Sequence, residues 1–327
     1  MNNHEIIKAF GSLRVLVIGD LMLDHYIWGD VQRISPEAPV PVVHTQRQTY
    51  TAGGGANVAL NLASLGVSVQ LAGTIGNDPA GVQLRDLLDE SAVDTELCPP
   101  LAPCPTIVKT RVIARTQQLC RIDHEGASSA YTLNSSPGLL AAIAGSDAII
   151  FSDYAKGAIS QALLGELLGQ ARKHQKIVSL DPKPASKLDF HGVGLITPNR
   201  HEALELAGLP EPDHDESFPL EEVCRNIHDR HAPELLIITL GADGMAICRN
   251  GRIECTLPTE AREVFDVSGA GDTVIATLTA ALASGASPVE AAQLANQAAG
   301  IVVSKIGTAR VNQEELRKAA EAAAKTP

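Results

Sequence analysis

The stretch Arg14-Val-Leu-Val-Ile-Gly19 is a short apolar run that ends in a glycine. Such a run without polar alternation is typical of a strand buried on both faces, as in a parallel sheet. Four later segments repeat the pattern, namely Ala148–Ser152, Lys176–Asp181, Gly194–Thr197 and Leu235–Leu240. The sequence therefore predicts a parallel sheet that contains these five strands.

Helical segments lie between the strands, and the clearest are Ala56–Leu65, followed by Gly66, and Asp272–Ser284, followed by Gly285. Glycine often ends a helix because it adopts the left-handed conformation at little cost. The 327 residues are 45% hydrophobic but only 3% aromatic, so the core must consist mainly of Ala, Val, Leu and Ile. Alternating strands and helices with this core indicate an α/β fold with helices layered on the sheet.

Two segments interrupt the alternation of strands and helices. Asp24–Thr51 contains three prolines, and Thr106–Arg115 alternates in the manner of an antiparallel strand. We expect a single domain over residues 1–327, with a small β-sheet lid inserted from segments of approximately 25–51 and 104–124. The free edge of such a sheet can also form a dimer contact.

Polar residues or glycine follow the predicted strands, namely Asp153, Asp181, Asn199 and Gly241. In open α/β sheets, ligands bind beyond the carboxyl ends of the strands. These positions therefore outline one edge of a predicted binding site.

The segment Asp266-Val-Ser-Gly-Ala-Gly-Asp-Thr273 places two glycines directly at the start of an Ala-rich helix. The N–H groups at a helix start have no intrahelical partner, and together with the helix dipole they attract an anion. Asp272 in the first turn would lie beside a bound phosphate, where its carboxylate can take a proton from an attacking alcohol. The alternative is that Asp272 only caps the helix.

Three other segments each have a functional and a structural interpretation. Ala52-Gly-Gly-Gly-Ala-Asn57 lets the backbone approach a polar ligand closely, or simply forms a turn. Asn199 and Glu202 lie three residues apart at a helix start, which suits a hard cation or water near phosphates, or a capping box. Thr239–Gly244 can wrap around a nucleotide, or turn tightly into the strand Met245–Cys248.

The formal net charge of -12 argues against a nucleic-acid partner, which needs a basic surface. No apolar run reaches the ~20 residues needed to cross a bilayer, and the start Met1–Glu5 is polar. We therefore expect a cytosolic protein with no membrane partner. The six cysteines lack zinc-site spacing and are predicted to be reduced thiols.

Taken together and in this order, the motifs resemble those of the ribokinase-like (PfkB) carbohydrate kinases over approximately residues 13–310. The resemblance implies a three-layer α/β/α domain that transfers a phosphoryl group from ATP to a sugar, with Mg²⁺ as cofactor. The family signature is Asp-Thr-x-Gly-Ala-Gly-Asp, and Val267 here replaces its Thr. This departure touches neither the glycines nor Asp272.

The same resemblance implies a role for each matched residue. Asp272 would be the catalytic base, and Gly269, Ala270 and Gly271 would form the anion hole. Asn199 and Glu202 would lie at the phosphates and at Mg²⁺, which they would contact through water. The nucleotide would contact Thr239, Gly241, Gly244 and Asn296, and the sugar would contact Asp24, Gly53, Gly54, Asn57 and Asp153. A monovalent cation near Asp266 and the loop 304–307 is left open.

Within the family, Gly29–Val43 resembles the branch that phosphorylates D-glycero-β-D-manno-heptose 7-phosphate for lipopolysaccharide synthesis, and so do Lys109–Val112 and Gln117–Asp123. The candidates to hold the phosphate of such a substrate are Lys109, Arg111, Arg33 and Lys183. Because the chain ends at Pro327 without a His-x-Gly-His motif, we expect a kinase without a fused adenylyltransferase. We also expect a homodimer through the inserted β segment.

Three alternatives stay open at this stage. The first is a kinase of the same fold that acts on another sugar, sugar phosphate or nucleoside. The second is a sugar or nucleotide sensor without catalysis, which the intact Asp272 and its glycines disfavour. The third, a nicotinamide oxidoreductase, is disfavoured because no dinucleotide fingerprint occurs in the sequence.

Overall fold

A computed structural model describes residues 2–115, 117–213, 217–261, 265–305 and 307–323. The strands are β1 (Arg14–Gly19), β2 (Leu21–Ile34), β3 (Pro41–Gly54), β4 (Ser68–Ala72), β5 (Ile75–Gly76), β6 (Asp94–Leu97), β7 (Pro100–Leu101), β8 (Ile107–Ala114), β9 (Gln117–His124), β10 (Ala148–Ser152), β11 (Ile177–Asp181), β12 (Leu195–Ile196), β13 (Leu235–Thr239), β14 (Met245–Arg249) and β15 (Arg252–Leu257). The helices are α1 (Asn3–Ala9), α2 (Gly55–Ser64), α3 (Pro79–Asp89), α4 (Pro137–Gly145), α5 (Gln161–Lys173), α6 (Arg200–Ala207), α7 (Leu220–His231), α8 (Ala270–Ala283), α9 (Pro288–Val303) and α10 (Gln313–Ala323).

The main sheet has the strand order β15-β14-β13-β12-β11-β10-β1-β4-β6. The pairings from β6 through to β13 are parallel, and β14 and β15 are added antiparallel at one edge. All five predicted strands are present, although the predicted strand Gly194–Thr197 is reduced to Leu195–Ile196. The carboxyl ends of the parallel strands therefore meet along one edge, where the sequence places its polar residues.

Alternate residues of each central strand pack against different helices. In β1, Val15 and Val17 join a core formed with α1, α2, α8, α9 and α10, whereas Leu16 and Ile18 join a core formed with α4 to α7. Successive side chains of a strand point to opposite faces, so each face of the sheet needs its own helical layer. The predicted three-layer α/β/α architecture is confirmed.

A second sheet, here called the small sheet, has the order β3-β2-β8-β9. It contains both segments predicted to form a lid. The alternation of Thr106–Arg115 predicted an antiparallel strand, which is half right, because β8 runs antiparallel to β9 but parallel to β2. Movement of this sheet over the site and the single-domain organisation stay predictions.

Two further predictions from the sequence concern membrane-spanning segments and the cysteines. No helix among the described residues is both long and apolar enough to cross a membrane. The prediction of six reduced cysteines is wrong for Cys224 in α7 and Cys248 in β14, which pair as a disulfide with their Cα atoms 6.4 Å apart. Helix and strand pack side by side here, a proximity that the spacing of cysteines along the chain did not reveal.

Candidate active site

The first turn of α8 lies at the carboxyl edge of the main sheet and carries Asp272. Gly269 precedes the helix with φ 79°, and a Cβ there would lie 2.9 Å from Nδ2 of Asn57, so this position requires glycine. The N–H of Ala270 donates to the carbonyl of Val267 at 3.2 Å, while within the described residues the N–H groups of Gly271 and Asp272 have no acceptor. Of the three predicted anion-hole residues, Ala270 is therefore already engaged.

The carboxylate of Asp272 is held by two donors from distant parts of the chain. Asn57, in the first turn of α2, donates from Nδ2 to Oδ2 of Asp272 at 2.6 Å. The hydroxyl of Tyr154, which follows β10, donates to Oδ1 at 2.7 Å. Asn57 was predicted to hold a sugar hydroxyl, but in the structure its amide donates to the carboxylate of Asp272. Tyr154 was not predicted at all.

This environment sets the protonation of Asp272. Burial raises the pKa of Asp272 to about 6, because the charged form loses its hydration. The hydrogen bonds from Asn57 and Tyr154 favour the charged form and limit the rise, while the negative charge of Asp24 adds to it. Burial and the charge of Asp272 raise the pKa of Tyr154 well above its ordinary value, so the phenol stays a donor. A carboxylate with a pKa near neutrality is suited to general base catalysis.

Asp24 lies on β2, and its charge contributes to the raised pKa of Asp272. It forms an ion pair with Arg111 of β8, whose guanidinium also lies 5.3 Å from the centre of the Tyr26 ring. A Cβ on Gly53 would lie 2.6 Å from Oδ2 of Asp24, so only glycine lets β3 pass so close to this carboxylate. Gly54 then begins the turn into α2 with φ 60°. The glycine run therefore forms the turn into α2 and passes close to the side chain of Asp24, whereas its predicted contact with a polar ligand stays a prediction.

The segment after β10 is shaped by a buried carboxylate that the sequence reading overlooked. Asp20, directly after β1, accepts hydrogen bonds from the backbone N–H groups of Tyr154, Lys156 and Ala158 at 2.8, 3.0 and 2.9 Å. We call residues 153–158 the Asp20-bound loop. Asp20 directly follows the first predicted strand, and this position in the sequence could have identified it as a site residue.

Asp153 begins this loop and is buried. Its carboxylate accepts from Oγ of Ser186 at 2.8 Å and from the backbone N–H of Ala155 at 2.9 Å. Burial raises the pKa of Asp153, and these hydrogen bonds oppose the rise. The contacts hold the loop in place, and the predicted contact with substrate stays a prediction.

Asn199 and Glu202 form a complete capping box at the start of α6. Oε1 of Glu202 also accepts from Nζ of Lys183 at 2.7 Å, so Lys183 is paired with a carboxylate. Nearby, burial and the charges of Glu202 and Asp272 raise the pKa of Asp181 well above its ordinary value. Repulsion among these carboxyl groups favours a cation between them.

The donor set at this edge fits Mg²⁺ only through water. Among the described residues, no group of three or more His, Cys, Asp or Glu side chains could hold a metal directly. Both carboxylate oxygens of Glu202 already accept hydrogen bonds, one from Lys183 and one from the backbone of Asn199. Because Mg²⁺ retains several of its waters in nucleotide sites, oxygen ligands in this arrangement are compatible with water-mediated contact.

The predicted nucleotide residues lie at the end of β13 and beyond. Thr239 pairs with Asn199 in an isolated bridge. Gly241 and Gly244, with φ 62° and 89°, form the turn from β13 into the antiparallel β14, so the structural interpretation of this segment is confirmed. Nδ2 of Asn296 in α9 donates to the carbonyl of Pro258 at 2.6 Å. Their contacts with a nucleotide stay predictions.

Of the two remaining predicted features, Arg33 lies apart from this centre. Arg33 is exposed near the far end of β2, nine residues from Asp24 and thus about 30 Å away along an extended strand. Asp266 accepts backbone hydrogen bonds from Ser268 and Gly307 at 2.9 and 3.2 Å, which brings together the segments considered for a monovalent cation. Residue 306 of that loop lies outside the described residues.

The fold and the buried base beside free N–H groups define the class of protein as a phosphotransferase of the ribokinase-like type. Residues 12–315 match the family described as pfkB family carbohydrate kinase. The chain belongs to this family, and it is an ATP-dependent sugar kinase.

Curated relatives are similar over nearly the whole chain. Bifunctional protein HldE of Magnetococcus marinus is 44% identical over 323 residues, which is 97% of this chain and 66% of the relative. Bifunctional protein HldE of Desulfatibacillum aliphaticivorans is 42% identical over 321 residues, which is 95% of this chain and 64% of the relative. The chain thus spans a little under two thirds of the length of such relatives.

Solved structures share the fold. Ribokinase of Arabidopsis thaliana, complexed with ribose and ATP, has a TM-score of 0.77 at 20% identity and covers 94% of this chain and 99% of its own. Phosphofructokinase-2 of Escherichia coli, in complex with substrates and products, has a TM-score of 0.76 at 19% identity and covers 96% and 100%. At such identities the likeness extends to the fold alone.

Proposed function

We propose that the protein phosphorylates the anomeric hydroxyl of D-glycero-β-D-manno-heptose 7-phosphate to give the 1,7-bisphosphate, a step towards ADP-heptose for lipopolysaccharide. The observation that carries the reaction type is the buried Asp272, with a pKa of about 6, beside unpaired N–H groups at the start of α8. The sugar is chosen from the segment Gly29–Val43 and from the similarity to bifunctional HldE proteins.

In the proposed reaction, a free oxygen lone pair of Asp272 takes the proton of the anomeric hydroxyl. The sugar oxygen then forms a bond to the γ-phosphorus of ATP as the bond to the β-γ bridging oxygen breaks and ADP leaves. The N–H groups of Gly271 and Asp272, at the positive end of the dipole of α8, stabilise charge on the transferred group. Asn57 and Tyr154 orient the carboxylate towards the acceptor.

The nucleotide would lie along the carboxyl edge between α8 and the β13–β14 turn, near Thr239, Gly241, Gly244 and Asn296. Asn199 and Glu202 would hold Mg²⁺ through water, and the carboxyl group of Asp181 lies close to them. When bound, the ion neutralises charge on the phosphates. Burial, followed by the charges of Glu202 and Asp272, raises the pKa of Asp181. A cation bound here would relieve the repulsion among these groups, which supports the proposed place of the ion.

The direct test is ADP release by the purified chain with Mg·ATP and a panel of acceptors. The panel contains both anomers of heptose 7-phosphate, the same heptose without phosphate, fructose 6-phosphate and ribose. We expect the highest kcat/KM for the β-anomer of the heptose phosphate. A clear preference for another acceptor would contradict the proposed substrate, and no turnover with any sugar would favour the sensor alternative.

Tyr154 offers a prediction about pH dependence. Because Asp272 must be ionised to accept a proton, kcat/KM should fall tenfold per unit as the pH drops below about 6. In Tyr154→Phe one hydrogen bond to the carboxylate is lost, so this acid limb should move to higher pH and kcat should fall about tenfold. The measurement is kcat/KM against pH for both proteins.

Tyr131→Phe is the matched control, since its hydroxyl contacts the backbone of Pro105 and Gly126 and not Asp272. Its acid limb should stay in place even if its thermal stability falls. An unchanged acid limb in Tyr154→Phe would contradict the assignment of Asp272 as the titrating base.

We also propose a homodimer through the small sheet. The row Tyr50–His25–Thr110–Ile122 crosses the face opposite Asp24, and its end residues Tyr50 and Ile122 are 37% and 57% exposed. The edge strand β9 is exposed along its length, and such edges are normally covered. Sedimentation equilibrium should give a dimer for the wild type and a monomer for Ile122→Asp. A wild-type monomer at micromolar concentration would contradict the proposal.

A further inference from the structure

Three cations without full compensation lie on or beside the face of the small sheet that carries Asp24. The register places Asp24, Lys109 and Asp123 side by side in one row, and Tyr26, Arg111 and Arg121 in the next. Side chains paired across neighbouring strands, or two residues apart on one strand, share a face of the sheet. Lys109 and Arg121 therefore lie on the same side as Asp24.

Asp24 relates this face of the small sheet to the proposed base, Asp272. Its negative charge contributes to the raised pKa of Asp272, and the same charge acts on Lys109. The charge of Asp24 therefore acts both on the proposed base and on Lys109, its neighbour in the same row. A sugar that places its reacting hydroxyl at Asp272 and also contacts Asp24 would have Lys109 within the next position of the sheet.

The third cation lies outside the small sheet. Lys156 lies on the Asp20-bound loop, two residues after Tyr154, and its Nζ lies 2.7 Å from Oε2 of Glu125, directly after β9. One short loop therefore contacts the proposed base through Tyr154 and the small sheet through Lys156. Because Asp20 fixes the loop backbone by hydrogen bonds to both residues, the two side chains hold a defined spacing.

The balance of charge in this cluster is positive. Arg121 donates to both carboxylate oxygens of Asp123 at 2.8 and 3.0 Å, while Lys109 lies 3.8 Å from the same carboxylate. Lys109, Arg121 and Lys156 thus share two carboxylates, those of Asp123 and Glu125, which leaves one positive charge in excess. Burial, followed by repulsion from Lys156, lowers the pKa of Lys109. An anion that joined the three cations would relieve this repulsion.

Of the four residues predicted from the sequence to hold the phosphate of the sugar, three do not belong to this positively charged cluster. Arg111 is paired with the buried Asp24, and Lys183 is paired with Glu202. Arg33 lies at the far end of β2. Only Lys109 belongs to the cluster with excess charge, and Arg121 and Lys156 are additions from the structure.

We propose that Lys109, Arg121 and Lys156 form the subsite for the phosphate group that the acceptor sugar already carries. This inference rests on the proposed function and adds to it the residues that select a phosphorylated sugar. A phosphate dianion matches the cluster because its oxygens can accept hydrogen bonds from several Lys and Arg donors at once.

The test compares two acceptors that differ only in this phosphate, heptose 7-phosphate and the same heptose without it. Lys156→Met and Arg121→Gln should each raise KM for the phosphorylated sugar by about 10- to 100-fold, as expected for the loss of one hydrogen bond between charged groups. Both should leave kcat/KM for the unphosphorylated sugar nearly unchanged. Thermal melts establish that the variants are folded.

A charge change of opposite sign sharpens the test. Glu125→Gln removes a negative charge beside Lys156 and should lower KM for the phosphorylated sugar. Lys318→Met in α10, where the lysine pairs with Glu314, and Arg115→Gln, where the arginine is exposed beside Asp30, are the matched controls and should change neither KM.

The outcomes separate the subsite from the substrate. If the wild type uses heptose 7-phosphate and both cation variants keep its KM, the subsite is wrong and the proposed function stands. If the wild type uses a different sugar phosphate, the proposed substrate is wrong, and the same variants assayed with that sugar phosphate decide the subsite. If the wild type uses only unphosphorylated sugars, both proposals are overturned.

Discussion

Asp272→Asn is expected to lower kcat by about 10²- to 10⁴-fold, the usual contribution of a general base. Asparagine keeps the shape of the side chain and its Oδ1 can still accept the hydrogen bond from Tyr154, while its Nδ2 can pair with Asn57 only when the amide of Asn57 turns over. The amide of asparagine cannot take the proton of the sugar hydroxyl. The unpaired N–H groups at the start of α8 are unchanged, so ATP should bind with nearly its normal affinity. Single-turnover phosphoryl transfer and ATP titration measure the two effects separately.

The same substitution should change how the stability of the protein depends on pH. The pKa of Asp272 is raised to about 6 in the folded protein from 3.8, so the folded state holds this proton more tightly than the unfolded state. The contribution of Asp272 to the stability of the wild type therefore falls as the pH rises from 3.8 through 6, because the buried carboxylate must then be charged. Asn carries no such charge, so the melting temperature of Asp272→Asn relative to the wild type should rise as the pH increases from 3.8 through 6.

Asp147→Asn is a matched control for this variant. The carboxylate of Asp147 accepts the N–H of Arg14 at 2.8 Å, at the opposite end of the main sheet. Asparagine keeps an oxygen that can accept this N–H and loses only the negative charge, so the melting temperature should change little and kcat should be unchanged. Substantial turnover by Asp272→Asn, or loss of ATP binding in a folded protein, would contradict the assignment of the base.

The strands of the main sheet could be predicted because a strand buried on both faces leaves a local mark. The runs at Arg14–Gly19 and Ala148–Ser152 coincide with β1 and β10. The start of α8 was predictable for a similar reason, since glycines before an Ala-rich segment mark a helix start. Each of these features depends on residues that are neighbours in the chain.

The environment of the carboxylate was not predictable in this way. Tyr154 reaches Asp272 across 118 positions of sequence, and only because Asp20 fixes the backbone of the loop. Ala155 and Gly157 adopt positive φ of 56° and 103° in this loop, and no local sequence pattern predicted this backbone conformation. The partners of the lysines were hidden for the same reason, because ion pairs such as Lys183–Glu202 depend on how strands and helices meet.

The second large effect is expected at Gly271, the next residue before the base. Gly271 is exposed, and a Cβ built on it would meet no atom within 4 Å. The fold itself therefore has room for alanine, which is also the better helix former by ~1 kcal/mol. This open space lies beside the unpaired N–H groups, where the transferred phosphoryl group is proposed to lie. The glycine is thus explained by access for a ligand rather than by packing.

Gly271→Ala should accordingly be as stable as the wild type or more stable, yet lose about 10²-fold in kcat, comparable to the loss of one donor in an anion hole. The methyl group keeps the phosphoryl oxygens from reaching the N–H groups at hydrogen-bonding distance. Gly165→Ala, in a helix where a Cβ also meets no atom within 4 Å, is the matched control and should gain stability without losing activity. Normal turnover by Gly271→Ala would contradict the proposal that the transferred phosphoryl group lies at the start of α8. The proposed role of Asp272 as the base would then be contradicted as well.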